Sequence, residues 1–536
     1  MTNLTHEVDK LFSNWAKNDS PGCAIAVVKD HEIVYSQGYG LANLEYGVPN
    51  TPDTIFHIAS VSKHFTCMAV LLLEAQGKLS IEDDYRKYLP EMPDFGTLVT
   101  IRHLMHHTSG IRDQWELLMH SGWRMDDVIT TDDIRGLLEK QTDLNFPPGE
   151  QYLYSNSGFT LLALIVERVS GKSLREFCQG NIFKPLSMNS THFHDDHTML
   201  VKNRSYSYAP DGQGNFKNAV LSYANVGATS LFTTVNDLAR WDGNFYNPRV
   251  GSQAVIEKML TTTSLTTGKP NNYALGLMIG KYRGLNIVEH SGGDAGYRTH
   301  YLRFPDQRFS VIIFCNLGTM VPGQLTRQVA DLYLADSFTL PAEEPAEPIT
   351  LSAEQLQQYA GTFYDPVTQS SRVFEIKDGK LQLALEKQFE FIPLPEHRFR
   401  MKDSPLYVIQ FSDLQDGHMG QMVLQPESAA YTYRRVETDF QESFDYQALS
   451  GTYFSPELEV EYRVIVKNNE PFIVRRKYGT TPLKHAFGDT FINDLSCLTG
   501  SPYTINIHFK RDDSGNISGF ELASGRIRSL WFKHLS

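Results

Sequence analysis

A stretch rich in proline and glutamate, "DSFTLPAEEPAEPITLS", divides the 536-residue chain into two parts with different patterns. Such a composition is typical of a stiff linker and not of a helix or a strand. Before it, strand patterns at both ends enclose a series of helical patterns, and after it the pattern is β throughout. The sequence therefore predicts an α/β (α+β) domain over residues 1–335, a linker over 336–350, and β domains over 351–438 and 443–536.

The strand patterns of the first part lie near its two ends. "CAIAVVKD" and "EIVYSQGYGLAN" alternate at the start, and "NIVEHSGG", "GYRTHYLRFP" and "FSVIIFCN" do so near the end. Helical patterns lie between them, at residues 60–77, 100–107, 131–141, 158–170 and 235–247, and "GQLTRQVADLYLADS" follows the last strand. This order predicts one mainly antiparallel sheet that joins both ends of the domain, flanked by helices.

Two segments of the second part begin in the same way. "LQQYAGTFYDPVTQSSRVFEIKDGKLQL" and "YQALSGTYFSPELEVEYRVIVKNNEPFI" both place Gly-Thr and two aromatic residues before alternating strands. The repeated glycines are Gly361 and Gly451. The repeat predicts two small antiparallel β-barrels in tandem.

Charge and cysteine content limit the partners and the compartment. The net charge of -13 argues against nucleic acid or an anionic membrane as the main partner. Five scattered cysteines without a C-x-x-C pair favour free thiols in a reducing compartment. The polar N-terminus does not resemble a signal peptide, and no apolar run reaches the length of a membrane span, so we expect a cytoplasmic protein. The sequence leaves open whether the protein forms a homodimer.

The segment "IASVSKHFTCMAVLLLEAQGKLS" places a serine and a lysine where a helical apolar pattern begins. Ser60 and Lys63 are three residues apart, so on a helix their Cβ atoms lie about 5–6 Å apart on one face. Unpaired N–H groups and the positive end of the helix dipole there can bind an oxyanion and ease deprotonation of the lysine. Ser60 is therefore a candidate nucleophile with a neighbouring base. A helix cap is the alternative interpretation of this serine.

Two further triplets follow in order along the chain. Tyr154 and Asn156 form a Tyr-x-Asn triplet before an apolar helix, and His290 and Gly292 form a His-x-Gly triplet in a strand. Each triplet alone is weak evidence for a site, because other residues fit the same patterns: Tyr223 with Asn225, His120 with Gly122, and His418 with Gly420. Order, spacing and surroundings favour the first set.

The surroundings of these triplets carry a family resemblance. "HIASVSKHFT", "LMHHTSGIRD", "FPPGEQYLYSNSGF", "LFTTVNDLARW" and "HSGGDAGY" make the first domain similar to the class C β-lactamase and penicillin-binding protein group of serine hydrolases. The His-x-Gly triplet and the two β domains resemble most closely the three-domain D-aminopeptidases. The resemblance implies a β-lactamase-like catalytic domain with an antiparallel sheet flanked by helices, followed by two small β-barrels.

The resemblance also implies a role for each residue of the triplets. Ser60 is then the acylated nucleophile, and Lys63 and Tyr154 share the proton transfers, with the identity of the base left open. Asn156 orients Lys63, and His290 stands where many relatives have lysine. The N–H groups of Ser60 and Gly293 form the oxyanion hole, beside Gly292.

These roles predict a serine hydrolase that forms an acyl-enzyme and acts on a small peptide, amide or ester substrate, with no cofactor and no metal. D-aminopeptidase-like cleavage of small peptides or amides is the leading interpretation. One alternative is an esterase or a D-Ala-D-Ala-type carboxypeptidase with weak β-lactamase activity. Another is a non-catalytic β-lactam-binding protein.

Three further groups of polar residues call for an interpretation. "THFHDDHTML" collects histidines and aspartates over residues 192–197, and we interpret it as a solvated loop because no H-E-x-x-H helix completes a metal site. His106 and His107 are expected to pack near the cleft. Asp494 is an acid that could meet a substrate ammonium, but its place after Asn493 favours a turn.

Overall fold

The structure is a computed structural model that describes residues 2–342, 346–424, 431–437, 444–499 and 502–535. The chain forms two compact units. The first consists of Met1–Gln114 and Arg124–Ala342, and the second of Trp115–Trp123 and Glu343–Ser536.

The first unit is built on a six-stranded antiparallel sheet. Its strands are β1 (Cys23–Lys29), β2 (Glu32–Tyr39), β3 (Met278–Tyr282), β4 (Leu285–Asp294), β5 (Tyr297–Phe304) and β6 (Phe309–Cys315). Their spatial order is β3-β4-β5-β6-β1-β2, so the N-terminal strands pair with the last strand of the domain. This confirms the antiparallel sheet that the sequence predicts from both ends of the domain.

Helices cover this sheet and contribute the segment that carries the nucleophile candidate. The helices among the described residues are α1 (Thr2–Leu11), α2 (Lys63–Ala75), α3 (Ile101–Met105), α4 (Gln114–His120), α5 (Thr131–Leu138), α6 (Asn156–Ser170), α7 (Leu174–Cys178), α8 (Val235–Asn244), α9 (Gln253–Met259), α10 (Pro322–Tyr333), α11 (Ala353–Gln357) and α12 (Ser496–Thr499). Of these, α11, α12 and all of α4 after Gln114 belong to the second unit. Apolar residues of α1 and α10 form one core with β1, β5 and β6. Nearly every residue of α2 is buried, which its continuous apolar pattern predicts.

Short strands connect these elements in the first unit. They are Leu41–Asn43, Val48–Pro49, Phe56–His57, Ile129–Thr130, His192–Phe193, Tyr208–Pro210, Phe216–Asn218, Tyr223–Ala224, Leu231–Thr233, Thr263–Ser264 and Pro270–Asn271. The pair Phe56–His57 and Leu231–Thr233 holds the chain just before Ser60. Sheet pairing therefore positions the nucleophile segment from its N-terminal side.

Strand β4 changes its pairing at the point where the His-x-Gly triplet begins. Its register with β3 ends at Glu289 opposite Met278, whereas its register with β5 continues to Asp294 opposite Tyr297. Residues 290–294 thus extend past β3 on that side of the sheet. This places an open strand edge within the first unit.

The second unit contains two closed antiparallel barrels of eight strands each. The first barrel comprises Gly361–Asp365, Ser370–Lys377, Lys380–Leu383, Glu390–Leu394, Arg398–Met401, Ser404–Gln415, His418–Leu424 and Tyr431–Val436. The second comprises Gly451–Ser455, Val460–Lys467, Glu470–Arg475, Gly479–Phe487, Thr490–Asp494, Thr504–Arg511, Ile517–Ser524 and Ile527–Leu535. The predicted tandem barrels are confirmed, and Phe363 and Tyr453 are fully buried in their cores.

A segment from the middle of the first part of the chain, Trp115–Trp123, belongs to the second unit. The carboxylate of Glu116 accepts a hydrogen bond from the Ser524 hydroxyl at 3.0 Å, and His120 Nε2 lies 2.8 Å from the same hydroxyl. The Tyr462 hydroxyl donates to the carbonyl oxygen of His120 at 2.8 Å. Nothing in the sequence pattern predicts this attachment.

The cysteines are all free, as the sequence predicts. Four are buried and Cys497 is exposed. Among the helices of the described residues, none has the length and apolar character that crossing a bilayer requires.

Candidate active site

The nucleophile segment is a tight turn that runs directly into α2. A 3₁₀ turn over Ala59–Ser62 precedes Lys63, and Ala59 has a φ of +47°, a left-handed conformation that is uncommon for a residue with a side chain. Strained backbone of this kind concentrates at functional sites. It leaves Ser60 partly exposed between buried neighbours.

The amine of Lys63 lies at the centre of a set of hydrogen-bond acceptors. Its Nζ is 3.0 Å from Ser60 Oγ, 2.9 Å from Asn156 Oδ1 and 2.6 Å from the carbonyl oxygen of Ala228. The side chain is fully buried, and Nζ lies 4.8 Å from the centre of the Tyr154 ring. The amine predicted to serve Ser60 is therefore within hydrogen-bond reach of it.

The orientation of Asn156 depends on a buried carboxylate that the sequence analysis did not identify. Asp113 Oδ2 accepts hydrogen bonds from the backbone N–H of Asn156 at 2.7 Å and from its Nδ2 at 2.8 Å. Because Nδ2 is a donor and faces Asp113, the amide oxygen must face Lys63. Asp113 lies within "LMHHTSGIRD", but a single aspartate in a loop gives no pattern that marks it.

We predict that Asp113→Ala lowers kcat on a p-nitrophenyl ester by about 10- to 100-fold, because a free amide can turn its NH₂ group toward Lys63. Asp113→Asn keeps an acceptor oxygen and should recover most of that loss. Steady-state kinetics with thermal unfolding curves measure both effects. Asp237→Ala is the matched control, since Asp237 is a buried aspartate that accepts from Ser190 N and Thr191 Oγ1. Equal losses of kcat in the Asp113 and Asp237 variants would contradict a positioning role.

The Tyr154 ring is held in place by His107. The two ring centroids are 4.0 Å apart, and His107 Nδ1 accepts the backbone N–H of Ser155 at 3.1 Å. The carbonyl oxygen of His107 accepts the N–H of Leu153 at 2.9 Å. His107 itself has a φ of +58°. It thus fixes the residues on both sides of Tyr154, as expected for packing near the cleft.

His290 is a neutral, doubly hydrogen-bonded imidazole. Its Nδ1 lies 2.6 Å from the carbonyl oxygen of Ser291, which can only accept, so Nδ1 carries the proton. Its Nε2 then accepts from the Tyr273 hydroxyl at 2.9 Å. Burial, reinforced by the charge of Lys63, lowers the pKa of His290 to about 3. The imidazole is therefore uncharged at neutral pH.

Tyr273 is a second residue that the sequence analysis missed. Burial raises the pKa of its hydroxyl well above the ordinary value, so the phenol remains a donor toward His290. His106 supports it, because His106 Nδ1 lies 2.8 Å from the Tyr273 carbonyl oxygen and Asn271 Nδ2 donates to the His106 carbonyl at 3.0 Å. His106 and His107 thus act on two different residues of the site.

Two glycines allow close backbone approach at this site. A Cβ at Gly292 would lie 2.5 Å from the Ile58 carbonyl oxygen and 3.2 Å from the Ala59 Cβ. A Cβ at Gly276, whose φ is +76°, would lie 2.7 Å from the backbone of His64. The first glycine brings β4 against the segment before Ser60, and the second brings a loop against the start of α2. Gly293 is opposite Arg298 in the register of β4 with β5.

The other matches to the triplets lie in different surroundings. Asn225 is fully buried and forms a closed set of hydrogen bonds with Gln114 and Thr160. His120 belongs to the second unit. Among the described residues no group of three or more metal-ligating side chains is placed to hold an ion, and burial lowers the pKa of His192 and His194 to about 4. The structure brings together the predicted set Ser60, Lys63, Tyr154, Asn156 and His290.

Comparisons with known proteins agree with this arrangement. A sequence model of the family described as Beta-lactamase matches residues 8–335. A D-aminopeptidase of Brucella melitensis biotype 1 is 25% identical over 525 residues, and the match covers 96% of each chain. A D-aminopeptidase of Gluconobacter oxydans (strain 621H) is 29% identical over 302 residues, which span 56% of this chain but only 57% of that relative's length.

A solved structure shows a similar fold over most of the chain. It is the octameric penicillin-binding protein homologue from Pyrococcus abyssi, with a TM-score of 0.57 at 22% identity. The superposition covers 89% of this chain and 99% of that one. At this identity the likeness bears on the fold alone. The predicted resemblance to this group of proteins is confirmed by these matches together.

Proposed function

Because the chain belongs to the Beta-lactamase family of serine-type hydrolases, we propose that it forms an acyl-enzyme on Ser60 and releases N-terminal D-residues from small peptides or amides. The observation that carries the proposal is the 3.0 Å contact between Lys63 Nζ and Ser60 Oγ. The D-aminopeptidase of Brucella melitensis, which aligns with 96% of the chain, supports the substrate class.

The contacts of Lys63 support a base aimed at Ser60. Asn156 Oδ1 and the Ala228 carbonyl oxygen can only accept, so each takes one N–H of the amine. A neutral amine has two N–H groups and one lone pair, so these two hydrogen bonds direct the lone pair toward Ser60 Oγ. The amine can then take the hydroxyl proton as Oγ attacks.

The proposed reaction has two halves that share these groups. Ser60 Oγ bonds to the substrate carbonyl carbon, its proton passes to the base, and the carbonyl oxygen becomes an oxyanion held by the N–H groups of Ser60 and Gly293. The C–N bond then breaks, and the leaving amine takes the proton from Lys63 or Tyr154. Water attacks the ester in the second half, which frees the acid and restores the Ser60 hydroxyl.

The neutral His290 supports substrates without a carboxylate at this position. A lysine there would attract a carboxylate, whereas an imidazole with its pKa lowered to about 3 carries no charge at neutral pH. This disfavours a D-Ala-D-Ala-type carboxypeptidase or a strong β-lactamase. It is compatible with an aminopeptidase or an amidase.

We expect D-alanyl p-nitroanilide to be cleaved with a kcat/KM at least about tenfold above that of its L-isomer and of acetyl-D-alanyl-D-alanine. A p-nitrophenyl ester and nitrocefin complete the panel on one preparation. Faster release of D-alanine from the acetylated dipeptide would contradict the proposal. Nitrocefin that labels Ser60 without turnover of any substrate would instead indicate a β-lactam-binding protein.

A further inference from the structure

Asp294 ends the strand that carries the His-x-Gly triplet. Side chains two residues apart share one face of a strand, so His290, Gly292 and Asp294 lie on the same face of β4. Gly292 packs against Ile58 and Ala59, directly before the nucleophile. The carboxylate of Asp294 is therefore on the face of β4 that meets the nucleophile segment.

A chain of hydrogen bonds fixes this carboxylate. Backbone N–H groups meet both ring nitrogens of His57: that of Ala59 donates to Nδ1 at 3.3 Å and that of Ser230 to Nε2 at 3.2 Å. His57 Nε2 also lies 3.1 Å from Thr229 Oγ1, and the Thr229 hydroxyl donates to Asp294 Oδ2 at 3.0 Å. The hydrogen bond from the Thr229 hydroxyl to the carboxylate favours its ionised form.

Thr229, which donates to Asp294, is also next to the residue that holds the amine of Lys63. Thr229 directly follows Ala228, whose carbonyl oxygen accepts from Lys63 Nζ at 2.6 Å. Consecutive Cα atoms are about 3.8 Å apart, so the groups that hold the amine and the carboxylate are immediate neighbours. Adjacent residues of one segment thus hold the amine beside Ser60 and the carboxylate of Asp294.

The setting of Asp294 is costly for a purely structural carboxylate. Burial raises its pKa to about 6, against the opposing effects of Thr229, Arg298 and Lys63. An asparagine could accept the same hydrogen bond from Thr229 without this desolvation cost. The side chain remains 15% exposed, so a ligand can reach it. A cation that binds there would offset the cost.

We propose that Asp294 binds the α-ammonium group of the substrate and so selects short peptides and amides with a free N-terminus. This inference rests on the proposed acyl transfer at Ser60. Asp494, the acid considered from the sequence, has other partners: its two oxygens accept from the backbone N–H groups of Glu386 and Ser496 in the second unit. Asp494 is the last residue of the strand Thr490–Asp494, where the sequence favours a turn.

The test compares two substrates that differ only in the amine, D-alanyl p-nitroanilide and propionyl p-nitroanilide. In the wild type the amine-bearing substrate should have the higher kcat/KM. Asp294→Asn should reduce that ratio by about 30-fold or more, while kcat/KM for the propionyl substrate stays within about twofold. Asp306→Asn is the control, because Asp306 accepts a hydrogen bond from Asn286 at the other end of β4. This variant should leave the ratio unchanged.

A second measurement needs no variant. The ratio of the two kcat/KM values should fall as pH is lowered through about 6, because Asp294 is then neutralised while the substrate amine stays protonated. Among the groups that face Asp294, burial keeps His57 and Tyr223 neutral, and Arg298 stays charged over this range. The contribution of Lys63 is common to both substrates, so it cancels in the ratio.

The outcomes separate this inference from the proposed function. A loss in Asp294→Asn that is equal for both substrates, or a ratio that stays unchanged in the variant and across pH, overturns the ammonium site. A wild type that cleaves both substrates equally also overturns it while acyl transfer stands. A wild type that is acylated by neither substrate overturns the proposed function and the ammonium site with it.

Discussion

Ser60→Ala is expected to lower kcat/KM by at least about 10⁴-fold on every substrate of the panel, because it removes the oxygen atom proposed to accept the acyl group. The variant should also show no acyl adduct by mass spectrometry after incubation with a p-nitrophenyl ester. Its fold should persist, since Ser60 is partly exposed and the change removes one oxygen atom. Circular dichroism and thermal unfolding check this point.

The control for Ser60→Ala lies two residues further along the same turn. The Ser62 hydroxyl is fully buried, donates to the Ala59 carbonyl oxygen and accepts the N–H of Leu231 at 3.0 Å. Ser62→Ala should therefore cost about 1–3 kcal/mol of stability yet leave acylation possible. If Ser60→Ala keeps a tenth of wild-type turnover, or if the adduct persists, Ser60 is not the nucleophile.

Periodic patterns account for the parts of the fold that the sequence predicts. Alternating strands at both ends of the first unit predict the six-stranded sheet, and the Gly361 and Gly451 repeat predicts the barrels. Helix α1 was missed, because its polar sequence resembles a solvated terminus until Val8 and Phe12 enter the core against β1. The attachment of Trp115–Trp123 to the second unit also has no local signal, since it depends on side-chain contacts more than 300 residues away in sequence.

The predicted site residues share one property: each belongs to a short motif of fixed spacing. Ser60 and Lys63 face each other because a helix repeats every 3.6 residues, so a sequence shows this contact directly. Asp113 and Tyr273 reach the site from loops, where no period relates them to a partner. Asp113 stands between Arg112 and Gln114 in the sequence, so its burial and its hydrogen bonds to Asn156 appear only in the structure.

Lys63→Met is expected to slow acylation of Ser60 by about 10²- to 10⁴-fold, because the thioether cannot take a proton. Methionine fills a similar volume, which suits the fully buried position. Asn156 Oδ1 and the Ala228 carbonyl oxygen lose their shared donor, and the removal of a buried amine offsets part of that cost. The burst of p-nitrophenol in stopped-flow experiments measures acylation separately from deacylation.

Cys67→Ala is the matched control for Lys63→Met. Cys67 lies one turn further along α2, is fully buried, and burial raises the pKa of its thiol well above the ordinary value, so it carries no charge. The control variant should lose some packing energy and keep the burst rate within about twofold of wild type. A burst slowed equally in both variants would mean that disruption of α2, and not loss of the base, explains the effect.

Comparison of Lys63→Met with Tyr154→Phe identifies the base that the sequence leaves open. Lys63 Nζ is 3.0 Å from Ser60 Oγ, and Asn156, held by Asp113, turns an acceptor toward that amine. This arrangement orients Lys63 toward the hydroxyl before any substrate binds, so we expect Lys63→Met to slow the burst more than Tyr154→Phe does. Tyr154→Phe should then act mainly on deacylation, where a proton leaves the attacking water and returns to Ser60 Oγ. A burst that survives Lys63→Met within about tenfold and disappears in Tyr154→Phe would assign the base to Tyr154 instead.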